Sequence, residues 1–386
     1  MARDWGQSVV DAHKLLRSEK RWVVDLSSLT ELVTLGHQDL LAFLPDVHVA
    51  TAVRDVLASK LESTAIFKTS GTMFTHEGKL GFRENTLADW QRDRDFFSAM
   101  LSCIDKHCKV VPAYGPVDVE HNVVLMRQIL SADEYATLLL SLELNASVLS
   151  LDDRFRRICA MLGSQGVWPQ PFFNYMLVNE HMEPDDHMLS VLKLMLGRRT
   201  FVSIDHFDLV RLMAMDDDFA QFGLNSFREY LAEPTLEFWS GSRVLFNFLA
   251  TLRACRVCSM DVIVELLEHL SEGLFRHPLK PEGWFAGAVY QAWMFLGLRT
   301  EFSRSKAVSA LTEAEERAGH PPQAFQIDLG AINRGQLPFK GEQPTSMQEV
   351  DKTPSSELPA VSIPTKKEDT TGTTGTLSED WTPEMP

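Results

Sequence analysis

Apolar positions follow two different periods along this chain. In RWVVDLSSLTELVTL, residues 21–35, a short run Trp22–Val24 stops at Asp25. After Ser27 and Ser28 the spacing opens to Leu29, Leu32 and Val33, the stagger of one helix face. Strand, turn and helix are predicted there. DVHVATAVRDVLASKL repeats the arrangement, with a strand near Val47–Val49 and a helix carrying Val53, Val56 and Leu57 on one side. SADEYATLLLSLELNASVLSLDDRFRRICAML, residues 131–162, predicts helix, strand, helix. Such units over the first 180 residues predict a central parallel sheet flanked by helices, an α/β fold. Between them, FKTSGTMFTHEGKLGFREN (67–85) is polar and glycine-rich and is expected to be a loop or hairpin next to the site, followed by a helix from Leu87 to Ile104.

Beyond residue 180 the period is helical. MLSVLKLMLGRR, FDLVRLMAM, LFNFLATL, DVIVELLEHL and AVYQAWMFLG all space their apolar residues for one helix face, and only TFVSI near residue 202 has the alternation of a strand. After about Gly335 the chain turns rich in Pro, Ser, Thr and acids, the composition of a disordered segment. The expected organisation is an α/β domain over residues 20–180, a mostly α-helical domain over 181–330 and a disordered acidic tail over 335–386.

Composition narrows the function. No run of about 18 uncharged apolar residues occurs, and the N-terminal segment mixes both charge signs without the apolar middle of a signal peptide, so a cytoplasmic protein away from membranes is expected. The net charge is −16. Nine acids and three lysines between Gly341 and Pro386 put −6 of it in the tail and leave −10 on the rest. A broad basic surface gripping phosphates is thereby excluded, and nucleic-acid chemistry would need a local patch or a metal ion. Cys255-Arg-Val-Cys258 lies inside one long apolar-periodic run without further ligands near by, and reads as buried thiols on a helix rather than a zinc site. No GxGxxG follows a strand, and neither a GxxxxGK[ST] nor a GxSxG motif occurs.

The acids fall at informative places. In an open parallel sheet, ligands bind beyond the carboxyl ends of the strands. Asp25 ends the first predicted strand, and Asp152 with Asp153 ends VLSL. Asp55 sits one turn into the second helix, and Asp133 and Glu134 open the helix before VLSLDD. Carboxylates gathered at one edge repel unless a cation neutralises them, and Mg²⁺ or Mn²⁺ with hard oxygen ligands does so. A metal-held water beside a phosphate is the apparatus of phosphodiester hydrolysis. Helix capping competes with this reading, since Asp25, Ser27, Asp133 and Asp152 are all favoured N-cap types. Asp216, Asp217 and Asp218 read as a solvated turn.

RWVVDLSSL, VATAVRDVL, DEYATLLLSLELNASVLSLDD and RFRRICAMLG resemble the PIN domains of metal-dependent nucleases, most closely bacterial PIN-like domains found with tetratricopeptide repeats and a GreA/GreB C-terminal-like module. The resemblance covers roughly residues 20–270. It implies a Rossmann-like PIN fold and an endoribonuclease with Mg²⁺ or Mn²⁺, acting on single-stranded RNA in a conflict or RNA-processing system. In the family pattern Asp25 takes the first place, Glu134 the third, eighteen positions before Asp152, and Asp152 the last. Asp55 stands where the family usually has Glu. The resemblance implies catalytic Asp25, Asp55, Glu134 and Asp152, and a metal held by Asp25, Glu134 and Asp152 with Asp153 as ligand, support or cap. Of the arginines after the acids, Arg156 is the family-like candidate to face inward, and Arg156 or Arg154 would hold substrate phosphate. Neither the repeats nor the GreA/GreB-like module is evident in the sequence. The competing expectation is a catalytically inert interaction module whose helical domain is the partner surface.

Overall fold

A computed structural model of the chain describes residues 5–66, 71–76, 79–199, 202–298 and 300–320. The tail expected over 335–386 lies outside the described residues. Seven strands occur among them: β1 (Trp22–Val24), β2 (Val47–Ala50), β3 (Gly71–His76), β4 (Lys79–Glu84), β5 (Lys109–Val111), β6 (Ser147–Leu149) and β7 (Gly166–Val167). The first helices are α1 (Trp5–Ser18), α2 (Leu26–Leu35), α3 (Thr51–Ser63), α4 (Leu87–His107), α5 (His121–Met126), α6 (Ala132–Leu144), α7 (Asp153–Met161) and α8 (Pro169–Val178). The helical part adds α9 (Pro184–Leu196), α10 (His206–Leu212), α11 (Asp217–Leu231), α12 (Phe238–Ala254), α13 (Met260–Arg276), α14 (Trp284–Leu296) and α15 (Glu301–Arg317).

Five strands form one all-parallel sheet in the order β5-β2-β1-β6-β7. Trp22–Val24 and Ser147–Leu149 are buried at every position, as strands covered by helices on both faces must be. The chain moves outward from β1 to β2 and β5, then returns to the other side of β1 for β6. The strand order therefore reverses between β1 and β6. The crevice beyond their carboxyl ends is the place where open α/β sheets bind ligands. β3 and β4 pair antiparallel as a separate hairpin, as the glycine-rich segment predicted.

One apolar cluster runs from Ala12 in α1 to Ala314 in α15, so the sheet and the helical part are packed as one body, and a smaller one gathers Val123, Leu138, Val148 and Phe155. Glu31 of α2 is buried and meets Arg199 at 3.0 Å, and His37 Nε2 lies 2.5 Å from Ser190 Oγ of α9. Helices α13 and α11 approach closely at Gly273, where an added Cβ would stand 2.1 Å from the Arg228 carbonyl of α11. Gly273→Ala is accordingly expected to cost about 1–3 kcal/mol by overpacking, although Ala is the better helix former. Urea unfolding of the two proteins checks this, and an unchanged midpoint would refute the close packing.

Three sequence expectations are corrected. TFVSI forms no strand in its described residues. Val202 and Ile204 are buried as alternation requires, but Gln170 satisfies the backbone between them: Ser203 N donates to Gln170 Oε1 at 2.7 Å, and the Gln170 amide donates back to the Ser203 carbonyl. The Cys255–Cys258 run is not one helix. Arg256 takes a left-handed φ of 54°, α12 ends at Ala254 and Ser259 caps α13, which leaves Cys255 exposed and Cys258 half-buried in the turn. Asp216, read as part of a solvated turn, is the N-cap of α11, with Asp217 and Asp218 in that helix's first turn.

Candidate active site at the sheet switch point

β1 runs into Asp25 and β6 runs through Ser150 to Asp152, so both junctions open on the crevice where the strand order reverses. Asp25 is 5% exposed. It caps α2 by accepting from Ser28 N at 2.8 Å, and its other oxygen accepts from the hydroxyls of Ser27 at 2.7 Å and Ser150 at 2.6 Å. The serines tie the two junctions together. Ser27 Oγ accepts from Leu151 N at 3.0 Å, and Ser150 Oγ accepts from Asp152 N at 3.2 Å. The Asp25 carboxylate and the backbone N–H of Asp152 are thus joined through one hydroxyl. No ion pair reaches Asp25 among the described residues, and burial raises its pKa above the ordinary aspartate value against the pull of its hydrogen bonds.

Asp152 caps α7, accepting from Phe155 N at 3.1 Å. Asp153 pairs with Arg156 at 3.1 Å and Arg157 at 2.7 Å. Glu134 sits in the first turn of α6, whose N-terminus reaches the same edge. It closes a capping box with Ser131 and pairs with Arg154 of α7 at 3.2 Å. Hydrogen bonds through Ser27 and Ser150 join the N-termini of α2 and α7, and the Arg154–Glu134 pair ties α6 to α7, so three helices turn positive dipole ends towards the strand ends. Asp133 and Ser27 cap nothing. Asp55 is exposed on α3 and makes no hydrogen bond or ion pair among the described residues.

Arg156 is the buried arginine of the three. Its guanidinium donates to the carbonyls of Ser150 at 2.7 Å and Leu151 at 2.9 Å and stacks over Trp168 at 5.2 Å. Burial lowers its pKa, opposed by the nearby Asp153, Asp25 and Asp152. Arg154 is the one that reaches solvent from Glu134's side. The sequence sets Ser27 and Ser150 each two residues from an acid, Asp25 and Asp152, one at each junction. It gave no sign of the Trp168 shelf or of Arg156 gripping strand carbonyls, because those contacts depend on where β7 returns.

Among the described residues no three His, Cys, Asp or Glu side chains gather closely enough to hold a metal ion as they stand. The donor set nevertheless suits a hard cation. Mg²⁺ takes one or two carboxylates directly and keeps waters for the rest, and Asp25 is a buried carboxylate whose charge no paired cation offsets.

Sheet order, switch point and strand-end acids define a Rossmann-like α/β domain whose strand order reverses between β1 and β6. Residues 23–160 match the model of the PIN domain associated with the TPR-GreAB-C-PIN system, and that segment is a PIN domain. No curated protein matches the chain, and no solved structure does. Among the described residues no helix is long and apolar enough to cross a membrane.

Proposed function

We propose that the chain is a metal-dependent endoribonuclease working at the β1–β6 crevice. The observation behind this reading is Asp25: a buried carboxylate, at the switch point, linked to Asp152 through Ser150 and carrying no ion pair. Asp25 and Asp152 would hold Mg²⁺ or Mn²⁺, with Glu134 and Asp153 in reach of the same edge and Asp55 in support from α3. Bound there, the ion supplies an activated water and offsets charge developing on the scissile phosphate. Ser27 and Ser150 fix the orientation of the Asp25 carboxylate. Arg156 holds the Ser150–Leu151 carbonyls and Asp153, which makes it a positioning residue. Arg154, exposed at the rim, is the side chain offered to an RNA phosphate.

The association in the family's name with TPR and GreA/GreB-like modules supports partners of those kinds, which we place at the helical part, and we read their setting as a bacterial conflict or RNA-processing system. A second reading, an inert interaction module, is favoured by the pairing of Glu134 with Arg154 and of Asp153 with two arginines.

Cleavage of a labelled single-stranded RNA with Mn²⁺ by wild type and Asp152→Asn separates the two. Asn keeps the α7 cap, so the variant should fold. The expected result is metal-dependent cleavage that drops about a hundredfold or more in the variant, the scale of losing one preorganised charge contact. Equal rates would place the activity elsewhere. No cleavage together with no Mn²⁺-induced rise in melting temperature would favour the inert module. The same assay on DNA decides the substrate.

A further inference from the structure

A cavity of about 510 Å³ opens at the other end of the sheet from the crevice, within the roughly 300–1,000 Å³ of small-ligand sites. Val47 and Lys109, which line it, begin β2 and β5, and His107 ends α4. Leu41, Leu44 and Val47 form its apolar floor, buried in the core beneath. Lys106, His107, Lys109 and Asp46 form its polar wall. Lys109 meets Asp46 at 2.6 Å, and His48 and Arg21 reach the same carboxylate at 3.1 and 3.6 Å. Lys106 and His107 meet Asp39 at 2.7 and 2.8 Å. The neighbouring Arg54 and Asp105 pair with each other.

Three permanent cations, Arg21, Lys106 and Lys109, thus face two acids, with two imidazoles to add charge on protonation, on a chain whose net charge is −16. The carboxyl end of α4 opposes an anion, and Lys106 and His107 stand in its last turn to meet it. Both acids are held below the ordinary aspartate range, Asp39 by hydrogen bonds from Lys106 and His107, Asp46 by those from Lys109 and His48. Negative charge is therefore already favoured here. An ammonium has three N–H groups, and among the described residues each lysine spends one on its acid. The rest stand at the ends of side chains 64% and 70% exposed. We propose that the cavity is a phosphate-binding site, separate from the crevice, which takes a phosphomonoester on Lys106 and Lys109. Two ammonium groups with several N–H groups to give match the three terminal oxygens of a phosphate dianion, where a carboxylate offers only two. Nucleotides and the 5′ ends of RNA both carry that group.

The test titrates the whole chain, in a chelating buffer that keeps metal from the crevice, with AMP and follows binding by phosphorus NMR line broadening. A dissociation constant that rises at least about tenfold in Lys106→Ala/Lys109→Ala is expected. Both side chains are exposed, so folding should survive, and circular dichroism checks it. Ala42→Trp, at an exposed position lining the cavity, fills it without touching a charge and should weaken binding by a similar factor. A 5′-phosphorylated oligoribonucleotide and its 5′-hydroxyl form separate the two sources. A preference for the phosphorylated RNA that both variants abolish assigns the site to RNA ends, and binding of AMP alone assigns it to a free nucleotide. No binding of either probe at millimolar concentration overturns the proposal. Binding indifferent to both variants overturns it too, because the phosphate then sits elsewhere. So does weakening by the lysine changes with Ala42→Trp indifferent, since charge would then act without the cavity.

Discussion

Asp25→Asn is expected to melt a few degrees above wild type at pH 7 in a chelating buffer, and to cleave RNA at least about a hundredfold more slowly with Mn²⁺. Stability and activity move in opposite directions because the wild-type carboxyl group sits where its charged form is costly. Its folded pKa is raised by burial from the ordinary 3.8. For a carboxyl group with that sign, folding takes up protons. The cost is absent well below the unfolded value, grows as pH rises towards the folded value, and is complete above it. Asn carries no charge, keeps a good N-cap oxygen for Ser28 N, and can donate to Ser27 and Ser150, whose hydroxyls rotate to accept. It forfeits a favourable charge at the α2 N-terminus, which the direction of the pKa shift shows to be the smaller effect. The variant's advantage should therefore widen as pH climbs out of the acid range and then level off. With Mn²⁺ the order should reverse, since the ion stabilises only the protein that binds it. Melting curves with and without metal across pH 4–8 check all of this, and a variant that melts lower than wild type in chelator at every pH would refute it.

Arg156→Ala should have the largest effect on stability. It removes a buried guanidinium from two strand-end carbonyls, from Asp153 and from the Trp168 ring at once. Breaking a buried charge pair costs about 3–5 kcal/mol when the partner is left uncompensated. Asp153 is partly open to water and still has Arg157, so the lower end is expected, about 3 kcal/mol or a fall of about 6 °C or more in melting temperature. Arg156→Lys should recover less than half of that. A single ammonium cannot span two carbonyls and a carboxylate as the planar fork does. Denaturant melts of the three proteins give the comparison. A Lys variant as stable as wild type would mean that charge alone, not the fork, holds the junction.

The parts of this fold written most clearly in the sequence are those where an apolar run ends on an acid and a helix begins. β1 and β6 were legible that way, and with them Asp25, Asp152 and the N-terminus of α6, while β2 showed only through its apolar run and the helix after it. β5 escaped notice because Lys109 and Val110 are exposed on an edge strand of three residues, too short and too polar to print a period. TFVSI printed a strand's period without a strand's neighbour, since a glutamine side chain supplies the hydrogen bonds a ladder would. At the site, the carboxylates could be read from local sequence, whereas their partners could not. Arg154 meets Glu134 across twenty residues, and Ser150 meets Asp25 across 125. Such pairings are fixed by strand order, which periodicity alone does not disclose.

The shared core has a consequence for what counts as a unit in this molecule. The matched PIN segment stops at residue 160, inside α7. β7, the edge strand that supports Ser150, lies beyond it, as do Phe172 and Phe173 of α8, which fill the core under the sheet. Arg199, which neutralises the buried Glu31, is further on still. A chain cut at the family boundary would carry every acid of the crevice and yet lack an edge of its sheet, two core aromatics and the counterion of a buried charge. Descent has kept one length of this protein recognisable, while folding demands a longer one.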